Sequence, residues 1–129
     1  MVETAMSNVM LESAGYDVGA YFALVQRTDI HDSILGFHAQ QGLEKALKAA
    51  LFKHSVFVPK THSLGHLLQA LSDANVEAPP HADSIDTLDP YAVQARYGAL
   101  GNSTLDRLSV GTWLNLETAV DRFPPHATD

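Results

Sequence analysis

The stretch from Ile34 to His54 constrains the fold more than any other part of the chain. It has no proline and only two glycines, and Ala, Leu, Gln, Glu and Lys, all strong helix formers, dominate it. Leu43, Ala46, Leu47, Ala50 and Leu51 recur at the i, i+3, i+4, i+7, i+8 spacing of a helix that buries one face. Glu44 stands four residues before Lys48, the favourable orientation for an ion pair on a helix surface.

The flanking segments repeat the helical pattern. Apolar residues Met10, Ala14, Val18, Tyr21 and Val25 predict a first helix, on which Gly15 and Gly19 would let a neighbour approach closely. A polar break at Arg27–His31 follows, and Asp32 or Ser33 is expected to cap the long helix. Val56–Val58 and Pro59 form a connector. Thr61 or Ser63 then caps a third helix with the stripe Leu64, Leu67, Leu68, Leu71, ending near Asn75. Between residues 82 and 97, Ile85 and Leu88 suggest a helical turn or two, and Asp89-Pro90 can either end that helix or open another. Ser103 and Asp106 resemble a capping box that opens a last helix, whose buried face would be Leu105, Leu108, Thr112, Leu116, Ala119 and Phe123. Nothing reads as a strand. The expected fold is all-α, an antiparallel bundle of four to five helices in one domain of 129 residues.

Composition narrows the function. With no cysteine, disulfides, thiol catalysis and Cys-ligated metals are excluded. No apolar run is long enough to span a bilayer and no signal peptide is visible, so a cytoplasmic location without membrane attachment is expected. The net charge of −7 argues against nonspecific nucleic-acid binding. It is unevenly placed, because residues 45–72 carry all four lysines (Lys45, Lys48, Lys53, Lys60) and no acid. Such a run is either a solvated helix face or a localised anion site on an acidic body.

Phosphate loops, dinucleotide fingerprints and nucleophile elbows are absent. His62 and His66 stand four apart but lack a third ligand at helical spacing, so neither a metal nor another cofactor is implied. One constellation carries more. His38, Gln41, Lys45, Lys48 and Phe52 share one helix face, and their polar groups can donate to phosphate or carboxylate oxygens. Arg96-Tyr97 offers a guanidinium fork beside an aromatic ring, although Arg96 could equally serve a structural ion pair.

Phe37-His38-Ala39-Gln40-Gln41-Gly42-Leu43-Glu44-Lys45-Ala46-Leu47-Lys48-Ala49, followed by Pro59-Lys60-Thr61-His62-Ser63-Leu64, Tyr91 and Arg96-Tyr97, resembles the HEPN domain of prokaryotes in order and approximate spacing, over roughly residues 10–123. The resemblance implies a small helical bundle, commonly a homodimer, often associated with a minimal nucleotidyltransferase in toxin–antitoxin-like modules. Some branches of that family are metal-independent ribonucleases, with an Arg followed after four to six residues by a His; others bind nucleotides or act as partner subunits. Here Arg27–His31 and Arg122–His126 each have three intervening residues, and Arg96 and Arg107 have no His at the required distance. Gly98 stands where the family often has Pro after its Arg-Tyr pair.

The expectation is a binding or partner subunit without chemistry of its own. A nucleotide or other phosphate-bearing ligand would be held by His38, Gln41, Lys45, Lys48, His62, Arg96 and Tyr97. The alternatives are a ribonuclease toxin using His38 or His62 as a nonstandard base, and a scaffold without a ligand.

Overall fold

The computed structural model describes residues 2–93 and 104–114, and these are all helix and connector, with no strand among them. Helix α1 spans Val2–Leu24 and α2 spans Asp32–Lys53. They form an antiparallel hairpin: the Ser7 hydroxyl near the start of α1 donates to the Ala49 carbonyl near the end of α2 at 3.0 Å, while Asp17 reaches back to His38. Helix α1 begins eight residues before the apolar periodicity starting at Met10. Its first turns are tied to α2 by a buried serine, which a hydropathy pattern does not register.

At Gly42 the two helices approach closely. A Cβ there would sit 3.0 Å from Val18 Cγ2 and 3.6 Å from the Ala14 carbonyl. The close approach expected at Gly15 and Gly19 is not made, since nothing lies within 4 Å of a Cβ at either. The small residue sits instead on the partner helix, and α1 contributes Ala14, Val18 and Tyr21. Gly36 has the same role toward Tyr91, whose ring occupies the space a side chain would need.

Helix α2 is the centre of the core, burying Leu35, Ala39, Leu43, Leu47, Ala50 and Leu51. Its N-cap is His31, whose Nδ1 accepts from the Ser33 N–H at 3.0 Å. Asp32, expected as a candidate cap, is engaged elsewhere: its carboxylate takes the Leu105 N–H and the Arg107 guanidinium. The chain leaves α2 through left-handed Ser55, with Val56 N–H bonded to the Leu51 carbonyl and Ser55 N–H to that of Phe52. These are the paired bonds that satisfy carbonyls at a helix end.

Helix α3 (Leu64–Asp73) is capped by Ser63 and buries Leu64, Leu67 and Leu71. It ends through the same arrangement, with Asn75 left-handed and Val76 N–H on the Leu71 carbonyl. A short helix α4 (Ala82–Ile85) and a 3-10 turn (Asp86–Leu88) then bury Ile85 and Leu88. The chain is helical again at 91–93, so Asp89-Pro90 opens a new helical segment. The Asp89 carboxylate is spent on α3, accepting from Leu64 N–H at 2.6 Å and from the Ser63 hydroxyl at 3.1 Å.

Helix α5 (Arg107–Trp113) is capped by Asp106, which accepts from Ser109 N–H at 3.1 Å. It buries Val110, and Leu105 before it and Leu114 after it are buried too, whereas Leu108 and Thr112 of the expected stripe are exposed. Leu108 is 85% exposed: the helix begins at Arg107, so Leu105 precedes it and the two leucines do not share a helix face. Ser103, Leu116, Ala119 and Phe123 lie outside the described residues.

Arg107 locks this end of the bundle. Its guanidinium donates to the carbonyls of Val25, Arg27 and Ile30 at 2.8, 2.9 and 2.9 Å and twice to Asp32 Oδ1 at 2.9 and 3.1 Å. Those five bonds match the five donors of an arginine. Tyr21 donates its hydroxyl to the Arg107 carbonyl at 2.7 Å. Burial pushes that phenol up to about 12, against the opposing charge of Arg107.

The glycines divide by these contacts. Gly15→Ala and Gly19→Ala should each raise stability by about 0.5–1 kcal/mol, because they add helix propensity in open space. Gly36→Ala should lower it by about 1–3 kcal/mol through collision with Tyr91. Urea denaturation of the three variants checks both signs, and a stabilised Gly36→Ala would contradict the packing described.

Candidate functional site

The basic and amide residues of the α2 face are held in two carboxylate-centred clusters. Residues seven apart lie two turns apart on one helix face, and His38/Lys45 form one such pair, Gln41/Lys48 the other. Asp17 on α1 serves the first: His38 Nδ1 lies 3.0 Å from Asp17 Oδ1, and Lys45 Nζ donates to Asp17 Oδ2 at 2.7 Å. Glu44 serves the second: Lys48 Nζ donates to its Oε2 at 2.9 Å and Gln41 Nε2 to its Oε1 at 3.3 Å.

Glu44 also draws in the connector between α2 and α3. His62 Nδ1 stands 3.1 Å from Glu44 Oε2, and Gln40 Nε2 donates to the His62 carbonyl at 2.7 Å. Gln40 is fully buried and Glu44 is 4% exposed, so the expected surface pair of Glu44 and Lys48 is an interior one. The reason is register: Gln40, Glu44, Leu47 and Leu51 follow one another at helical spacing, all of them buried. Burial alone would raise the Glu44 carboxyl. Hydrogen bonds from Lys48 and His62, the charge of Lys48 and the Gln40 amide outweigh it and hold the group below its ordinary value.

With the imidazoles neutral, each cluster holds one carboxylate and one ammonium and has no net charge. Each ammonium carries three donors, of which the described contacts use one. The clusters can therefore present fixed N–H groups to an oxyanion, and the His62 side chain, 66% exposed, stands at their rim. His38, Gln41, Lys45, Lys48 and His62 are thus brought to α2 and its adjoining connector. Arg96 and Tyr97 lie outside the described residues. The N-terminus of α3 is occupied by Asp89 from within the chain.

His62 and His66 diverge in their partners, the second sitting 3.2 Å from Thr61 Oγ1. Among the described residues, no three His, Asp or Glu side chains are grouped to hold a metal, and no helix is long and apolar enough to cross a membrane. The residues that spacing left out are Asp17, Gln40 and Arg107. Asp17 flanks the α1 stripe one position before Val18, and Gln40 lies on the α2 stripe itself. A polar residue on or beside an apolar stripe is the available signal, though it does not name a partner.

The HEPN domain model matches residues 8–120 of the chain. No curated protein and no solved structure matches it significantly.

Glu44 yields a pH test. Its folded pKa is lowered, so its contribution is fully present above the ordinary glutamate range and is lost as pH falls through the folded value. Glu44→Gln should cost about 3 kcal/mol near neutral pH by leaving Lys48 without its partner. The gap to the parent protein should narrow on acidification. Urea midpoints across that range check this, and a gap independent of pH would contradict it.

Proposed function

Because the chain belongs to the HEPN domain family, we propose that it is a binding or partner subunit and not a nuclease, working as a homodimer beside a minimal nucleotidyltransferase in a toxin–antitoxin-like module. Its ligand is a nucleotide or another phosphate-bearing molecule. Lys45 and Lys48 meet the phosphate oxygens, His38, Gln41 and His62 flank them, and Arg96-Tyr97 completes the site. The mechanism is recognition by charge-assisted hydrogen bonds, with no bond made or broken by this chain.

The observation that carries this reading is the pairing of each lysine with one imidazole on a shared carboxylate. A cation held in place by a carboxylate loses less side-chain freedom when a ligand arrives. The arginines support the non-catalytic side. Arg107 is saturated by backbone carbonyls and Asp32. Arg27 is paired with Asp29 and its neighbour His31 caps α2, so that Arg–His pair is engaged structurally.

One contact favours the ribonuclease as second reading: Asp17 orients the His38 imidazole, as a carboxylate does for a general base. Two assays separate the readings. In a thermal-shift screen of nucleoside mono-, di- and triphosphates, a ligand at about one hundred times its Kd should add about 2.7 kcal/mol of stability, and Lys45→Met with Lys48→Met should abolish the shift. Incubation with structured RNA should leave it intact. Cleavage that disappears in His38→Ala or His62→Ala would overturn the non-enzymatic reading.

A further inference from the structure

The two clusters share a composition that bears on when the face can accept an anion. Each has one carboxylate that takes one lysine and one histidine, Asp17 with Lys45 and His38, Glu44 with Lys48 and His62. An imidazole is the side chain that ordinarily changes charge near neutral pH. We propose that phosphate binding at this face is coupled to protonation of His38 and His62, so that the site is electrostatically closed at mildly alkaline pH and opens on acidification. The inference rests on the phosphate-binding reading above and adds its regulation.

The charge count supplies the reason. With neutral imidazoles a dianion would enter beside two carboxylates whose charge the lysines merely cancel, and it would compete with them for the same ammonium groups. Protonating both imidazoles gives each cluster a net charge of about +1 and supplies each carboxylate with a second cationic partner. The lysines are then shared with the incoming oxyanion at smaller cost to the fold.

The surroundings of each imidazole are compatible with this switch. His38 faces Asp17 from α1 and Lys45 from its own helix, with the Phe37 ring edge-on at 5.7 Å. His62 faces Glu44 and Lys48 from α2, with Gln41 on the same carboxylate and Gln40 on the His62 carbonyl. From its own connector and the start of α3 come Thr61 and His66, which pair with each other. Asp89 is tied to Ser63 and the first turn of α3, and Asp86 lies beside Gly65.

ATP binding measured at about pH 8 and pH 6 tests the coupling. The wild-type affinity should tighten about tenfold or more on acidification, although ATP itself loses negative charge over that interval. His38→Gln and His62→Gln should each remove part of the dependence, and the double variant should flatten it. Equal affinity at the two pH values would overturn the coupling and leave the phosphate-binding reading standing. Tightening that persists in the double variant would overturn it too, by assigning the effect to other groups. Absence of ATP binding at both pH values would overturn both.

Discussion

A carboxylate placed in the interior of a helical hairpin has to be satisfied before the surrounding structure can close, and Glu44 imposes that condition here. Removing a carboxylate from water costs several kcal/mol unless hydrogen bonds and an opposite charge replace the solvent. Lys48 supplies the charge from one turn away, Gln40 and Gln41 supply amide donors, and His62 arrives from the connector. Because Gln40 also holds the His62 backbone, the same network fixes where the connector crosses α2 and hence where α3 begins. The order of influence runs from one buried acid to the position of the next helix, and then to the grouping of basic side chains along α2.

Much of the bundle was legible in the chain because apolar spacing reports burial directly. Leu43, Leu47, Ala50 and Leu51 of the one stripe and Leu64, Leu67 and Leu71 of the other are core, with Ala46 and Leu68 half-buried, and the breaks at Arg27–His31 and Val56–Pro59 fall between helices. The site was legible as a set of donors sharing one face, but not as two clusters. Asp17 stands 28 residues from Lys45, and His62 stands 18 from Glu44. Those distances exceed what any helical period relates, so the acids that neutralise the lysines are invisible until the chain folds. The last helix was misphased for a different reason. Asp106 and Ser103 are both acceptable caps by composition, and with Asp106 as the cap Leu105 falls outside the helix and its spacing to Leu108 is no longer helical.

The basic run at residues 45–72 therefore has a different meaning in space than in sequence. Lys45 and Lys48 are answered by Asp17, which comes from α1, and by Glu44, which immediately precedes the run. What the face offers is a pair of fixed ammonium groups with balanced charge, not a strongly positive patch. Arginine is used in the opposite manner: Arg107 is committed to backbone carbonyls and carries architecture.

The Arg107 clasp also bears on the order in which the chain assembles. The carbonyls it binds belong to the turn between α1 and α2, so its donors have no target until that hairpin exists. The hairpin itself joins neighbouring elements, the kind of local topology that forms quickly, whereas the clasp closes a loop of about eighty residues. The clasp thus joins the far end of the described chain to a turn that must already be in place to receive it.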